Sequence, residues 1–183
     1  MSISKAITTI DQLIEELNNV INKEEYKKLV MRLDIDLEEY QPYMHFSDVK
    51  YTRNCISRTK EYELLLLCWQ EDQETPIHCH NNEECWVYVV QGEFDEKRYV
   101  DNSKNPNGIK LEAQIELEKD GVSYMNDDMG YHKLTNIYKG RTMSLHLYMN
   151  PIDECKVFNE EDGEFEVKKL AYHSYEGRLL ERV

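Results

Sequence analysis

Proline and glycine are scarce, with four Pro and seven Gly in 183 residues. That excludes a collagen-like repeat and a Pro/Gly-rich disordered chain. The five cysteines (Cys55, Cys68, Cys79, Cys85 and Cys155) are odd in number, lack framework spacing and contain no Cys-x-x-Cys pair. Neither a disulfide scaffold nor a zinc knuckle is expected, and a reducing, cytoplasmic compartment is the expected location. Long apolar runs are also missing. The longest, Leu64 to Trp69, has six residues, against ~20 for a membrane span. The start, Met1 to Lys5, leads into a polar helical pattern without the apolar core of a signal segment. Basic charge is in deficit: 22 Lys and Arg face 36 Asp and Glu, for a net charge of −14. Such a surface repels phosphate backbones, so no nucleic-acid partner is expected, nor a membrane one.

What is present is enough apolar material for a core, 40% of residues, in two distinct patterns. Residues 8 to 40 read as helix. Ile10, Leu13, Ile14, Leu17, Val20 and Ile21 recur at three- and four-residue steps, and Tyr26, Leu29, Val30 and Leu33 repeat the pattern. Thr9 followed by Gln12 has the form of a capping box, and residues 34–40 suggest a short third helix. From about residue 48 the segments become short, β-branched and aromatic. Strands are expected near 49–56, 62–70, 76–80, 84–91, 93–100, 110–117, 122–126, 131–137, 142–149, 155–160 and 164–170, with the strongest breaker cluster at 101–108. The fold expected is mainly β, a jelly-roll barrel with N-terminal α-helices packed on one side. One domain over 1–183 is the simplest division: helices to residue 45, barrel over 46–170, tail over 171–183.

One constellation carries chemistry. In a regular strand His78 and His80 point the same way and Cys79 the opposite way. Two imidazoles roughly 6–7 Å apart along a strand can converge on one metal ion. His132 is the best third ligand. Three neutral imidazoles leave positions open on an octahedral ion, which a catalytic metal needs. The ordinary alternative is a set of surface histidines. Ser144, His146 and Tyr148 stand at i, i+2 and i+4 of an expected strand and share a face, where a hydroxyl, an imidazole and a phenol can form one hydrogen-bonded row. Leu145 and Leu147 occupy the other face. A barrel whose lumen holds a polar site and whose outside packs on helices satisfies both.

These motifs resemble the cupin superfamily. His78-x-His80 opens its first motif and Gly92 closes it. Counting back from Gly92 puts Cys85, not Glu84, in the slot of the cupin glutamate, and Glu84 must then face the opposite way. Gly130, His132 and Asn136 resemble the second motif. Over most of its length the chain is similar to type I cysteine dioxygenases. Tyr51-Thr52-Arg53-Asn54 looks like that family's substrate-binding segment, and Leu67-Cys68-Trp69 like the strand before its metal site. Ser144-Leu145-His146-Leu147-Tyr148 matches its Ser-His-Tyr motif.

The resemblance implies Fe(II) held by His78, His80 and His132, and a catalytic set of Tyr148, His146, Ser144 and Cys85. It implies a Cys85–Tyr148 thioether cross-link formed within the protein. The substrates would be L-cysteine and O2 and the product cysteine sulfinic acid, with Arg53 clamping the carboxylate and Tyr51 in the pocket. A guanidinium fork suits a carboxylate, and related mercaptopropionate dioxygenases carry a glutamine there. A monomer is expected. Two departures stand out: Cys79 lies where the family often has an acidic residue, and Met149-Asn150-Pro151 follows Tyr148. His45 and His173 match nothing and read as surface or structural residues. The rivals are a mercaptopropionate-type thiol dioxygenase, a cupin that binds a small ligand without catalysis, and a divalent-ion cupin isomerase.

Overall fold

The computed structural model describes residues 5–102 and 108–181. Of the breaker cluster expected at 101–108, residues 103–107 lie outside the described residues.

The expected helical stretch is divided into three pieces. α1 (Ile10–Leu17) starts at Thr9, whose side chain accepts from the Gln12 amide at 3.2 Å. Gln12 reaches back one residue further than a capping box requires and accepts from the Thr8 amide at 3.0 Å. α2 (Lys23–Val30) repeats the device: Asn22 accepts from the Glu25 amide at 3.2 Å, and Glu25 from the Ile21 amide at 2.9 Å. Asparagine side chains compete with the helix for backbone groups. Asn19 donates to the Glu15 carbonyl at 2.8 Å, so α1 stops and the expected apolar face does not continue. Ile21, read as part of that face, is 81% exposed in the link. The third piece is a 3-10 turn over Leu37–Tyr43, with Pro42 inside it, rather than an α-helix over 34–40.

Thirteen strands follow among the described residues. They are β1 (Thr52–Arg58), β2 (Tyr62–Trp69), β3 (Ile77–His78), β4 (Glu84–Gln91), β5 (Phe94–Asp101) and β6 (Ile109–Leu117). Then come β7 (Val122–Met125), β8 (Tyr131–Asn136), β9 (Thr142–Met149), β10 (Glu154–Asn159), β11 (Glu164–Lys169), β12 (Ser174–Tyr175) and β13 (Arg178–Leu179). One sheet runs β13-β12-β1-β2-β9-β4-β7 and the other β11-β10-β3-β8-β5-β6. This is the mainly β jelly roll expected, with helices on one side. The segment after the barrel also contributes strands: β12 pairs parallel to β1 through Asn54 and Ser174, and β13 pairs β12. Two-residue strands carry no readable alternation.

Strand β2 is buried along its whole length, because the first sheet is covered on both faces. Leu64, Leu66 and Cys68 pack outward with Trp86, Leu145, Leu147 and the helical Leu13, Leu17, Tyr26 and Leu29. Tyr26 stacks on Trp86 at 5.4 Å and 15°. Leu65, Leu67 and Trp69 point into the lumen with Val87, Val89 and Phe94. Alternation along a strand therefore sorts every second residue to the helices and the rest to the site.

Candidate metal centre

The lumen gathers the three histidines from two directions. His78 on β3 and His132 on β8 are direct cross-strand partners, and their rings lie 4.6 Å apart. His80 arrives differently from the strand-parity expectation, because β3 ends at His78. Asn81 and Asn82 take positive φ angles of 56° and 65°, a left-handed turn that Asn tolerates. Asp127 clamps that turn, accepting from the His80 amide at 2.7 Å and the Asn82 amide at 2.8 Å. Gly130 serves the third ligand: at φ +92° its backbone passes so near Tyr99 that a Cβ would stand 2.2 Å from that carbonyl oxygen. A glycine is required two residues before His132 on steric grounds alone.

The ring nitrogens fit a metal. One donor atom from each of His78, His80 and His132 lies within 4.8 Å of the others, and among the described residues no carboxylate joins the group. The Nδ1 of His78 lies 3.0 Å from the Pro76 carbonyl, and the Nδ1 of His132 lies 2.8 Å from Glu96. Both Nδ1 atoms then carry the proton, and both Nε2 atoms present lone pairs. His132 Nε2 faces His80 Nε2 at 3.0 Å. Such a contact needs a proton or a cation between its nitrogens. About 3 Å is also the separation of two nitrogens each ~2.1 Å from one ion at right angles. Burial, reinforced by the neighbouring His132, lowers the His78 pKa to about 3 and holds that of His80 well below its ordinary value. His78 and His80 are therefore neutral at neutral pH, as metal ligation requires.

Glu96, absent from the sequence reading, anchors His132. Burial alone would push its carboxyl up, but hydrogen bonds from His132 and Ser123 and the Arg98 charge bring it down to about 2. Ser123 donates at 2.6 Å and Arg98 at 3.0 Å. Its only sequence signal is the alternation of Phe94, Glu96 and Arg98 along β5. Glu96→Gln is expected to weaken metal binding by about 10–100-fold, read by titration against a chelator. Unchanged affinity would show that Glu96 does not orient His132.

Cys85 and Tyr148 are direct partners across β4 and β9, where opposed Cα atoms stand about 4.5–5.5 Å apart. Both are buried, and the thiol and the phenol lie in hydrogen-bonding reach. Burial pushes both pKa values up, so both groups are protonated at neutral pH. Glu84 faces outward, as the parity count requires, and pairs with Lys23 at 3.0 Å. The expected polar row is shorter than anticipated. Trp69 Nε1 donates to Ser144 at 3.0 Å, and Ser144 meets His146 Nε2 at 2.9 Å. His146 Nδ1 has no hydrogen bond, so the row stops before Tyr148. Two-residue spacing on a twisted strand leaves the His146 and Tyr148 rings 6.4 Å apart, side by side.

A cleft of about 600 Å³ opens onto His78, His146 and Tyr148. Arg53 and Tyr51 line it too. Tyr51 stacks on Trp69 at 4.6 Å. The Arg53 side chain is 10% exposed, and its Nε and one terminal nitrogen are buried without hydrogen bonds. Burial works against the Arg53 charge, but Tyr148, Glu63 and Tyr51 hold its pKa up. Lys50, Lys168 and Lys169, exposed at the mouth, give this acidic protein a basic entrance. The Met149-Asn150-Pro151 turn holds Asn150 at φ 72° and leads to Ile152 in the cleft wall. Cys79 is buried outside the cleft, its amide bonded to Lys156. His173, read as a surface or structural residue, lines the cleft wall, and its amide bonds the Arg53 carbonyl at 2.7 Å. His45 is half-buried, with Nε2 3.4 Å from the Gly177 carbonyl.

Comparison with known proteins adds the family. The family model described as "Cysteine dioxygenase type I" matches residues 1–161. The human protein named "Cysteine dioxygenase type 1" is 30% identical over 156 residues, covering 84% of this chain and 78% of the relative. The Danio rerio protein of that name is 28% identical over 177 residues, covering 92% and 88%. Among solved structures, a Bacillus halodurans protein superposes with a TM-score of 0.50 at 14% identity, over 64% of this chain and 80% of that one.

Proposed function

This chain belongs to the cysteine dioxygenase type I family, and from that premise we propose that it adds both atoms of O2 to the sulfur of L-cysteine, giving cysteine sulfinic acid. The observation that carries the reading is a single cleft. His78, which groups with His80 and His132, stands at one end, and a largely buried guanidinium with uncommitted donors lines the same cleft. His78, His80 and His132 would hold Fe(II). When bound there, iron would supply a Lewis-acidic, redox-active centre suited to oxidising a thiol.

The chain's own groups do the rest. Arg53 holds the substrate carboxylate by a paired, charge-assisted contact. Tyr148, a phenol at neutral pH, donates its proton in a hydrogen bond to substrate. Trp69, Ser144 and His146 fix that wall of the cleft. The His146 ring, held by Ser144, lies beside Tyr148 on the same face of β9. Tyr51, Leu67 and Ile152 give the cleft an apolar wall for the thiol's carbon chain.

Cys85 and Tyr148 are proposed to join through a sulfur–ring carbon bond, with loss of two hydrogens to O2 during turnover. The link would pin the phenol. Intact-mass analysis after turnover should then find the wild type two hydrogens lighter than its sequence, and Cys85→Ala at its full mass with iron retained. A wild type that keeps every hydrogen after turnover shows that no link forms. The five cysteines are free, which suits a reducing compartment, and the proposed setting is a cytoplasmic monomer.

O2 uptake by the iron-loaded protein tests the reading. Cysteine-dependent uptake with sulfinate as product supports it. Faster turnover of mercaptopropionate moves the substrate to the related thiol acid. Absence of iron-dependent uptake with any thiol returns the chain to a binding role.

A further inference from the structure

Glu63 stands among leucines on β2, fully buried. Its cross-strand neighbours are Arg58 on β1 and Tyr148 on β9. One carboxylate oxygen accepts from the Tyr172 hydroxyl and from Arg58 at 3.4 Å. Arg58 is tied in turn to Tyr172 and, at 2.8 Å, to Asp153. The other Glu63 oxygen makes no hydrogen bond and lies 3.6 Å from the Arg53 terminal nitrogen. That spacing attracts the guanidinium without consuming its donors. Arg53 is thereby aimed by charge while its N–H groups stay available. Arg58 has Asp153 as a second carboxylate partner, so Glu63 is locked from its far side while the Arg53 donors face the cleft.

Tyr172 lies past residue 161, where the family match ends. With Leu170 and His173 it lines the cleft, and its ring lies 6.0 Å from the Arg53 guanidinium carbon. Glu63 thus joins the Arg53 wall to the C-terminal segment that closes it. We infer that Glu63, locked by Arg58 and Tyr172, is a positioning residue that holds Arg53 so that the cleft selects thiols bearing one carboxylate. This rests on the thiol reading proposed above and deepens it.

The test uses the full-length, iron-loaded protein under argon, with calorimetric titration of L-cysteine and of cysteamine, which lacks the carboxylate. Glu63→Gln keeps shape and removes charge. It should weaken cysteine binding about tenfold and leave cysteamine within about twofold. Tyr172→Phe removes one lock and should shift the cysteine-to-cysteamine ratio in the same direction by less. The double variant should fall short of the summed effects. Tyr172→Phe decides the matter alone if Glu63→Gln does not fold. Equal losses for both thiols, or an unchanged ratio in both variants, overturn the inference. Wild-type O2 uptake is scored separately: its absence sinks the catalytic reading, while the binding ratio still decides the role of Glu63.

Discussion

His132→Ala is expected to strip the protein of iron and of cysteine-dependent O2 uptake while leaving it folded. His132 is the one ligand tied to both of the others: it pairs with His78 across strands and faces His80 at 3.0 Å. Two imidazoles would remain, His78 at the cleft and His80 on its clamped turn. A ligand removed outright costs more than the about 10–100-fold typical of a lost supporting hydrogen bond. The fold should survive because Glu96, left behind in the interior, still accepts from Ser123 and Arg98. A buried carboxylate that keeps its partners avoids the penalty of an uncompensated charge. Metal analysis and circular dichroism on one preparation check the pair of outcomes. Iron retained at wild-type stoichiometry would falsify the three-histidine site. Loss of fold together with iron would assign His132 a structural part as well.

Arg53→Ala should weaken L-cysteine binding by about 2–5 kcal/mol, because the substrate carboxylate would enter a largely buried site without its counter-charge. That corresponds to roughly 30-fold to several thousand-fold in apparent affinity. Cysteamine should be nearly indifferent. The variant should also retain iron, since no histidine of the site hydrogen-bonds Arg53 among the described contacts. Glu63 keeps Arg58 and Tyr172, so the wall of the cleft has a reason to stay in place. Anaerobic titration of the iron-loaded variant gives the affinity directly. Wild-type affinity for cysteine in Arg53→Ala would mean that the carboxylate is held elsewhere, with Lys168 or Lys169 at the mouth the next cations to replace.

The sequence carried a good deal of the site. Strand bounds expected at 84–91 and 142–149 coincide with β4 and β9, because eight-residue alternation is a strong signal. Alternation along 142–149 put Tyr148 on the polar face and Leu145 and Leu147 on the other, while Cys85 was placed by the motif count back from Gly92, with which strand parity agreed. The family resemblance rested on the same residues. His80 is instructive in another way. The parity argument brought it to the right neighbours through the wrong cause, since an Asn-Asn turn and Asp127, not a strand, aim it.

Partnerships over long sequence separations lay beyond any local pattern. Glu96 is 36 residues from His132, and Tyr172 is 109 residues from Glu63. Neither pairing follows from spacing, because strand order in a jelly roll is set by how two sheets close on each other. The chain's own pattern determined which side chains face inward, since a period of two is a property of the extended backbone. Only the closed barrel decided which of those side chains meet. It set Glu96 behind His132 and Glu63 behind Arg53, because a buried charge is tolerated only where the packed fold brings it a partner.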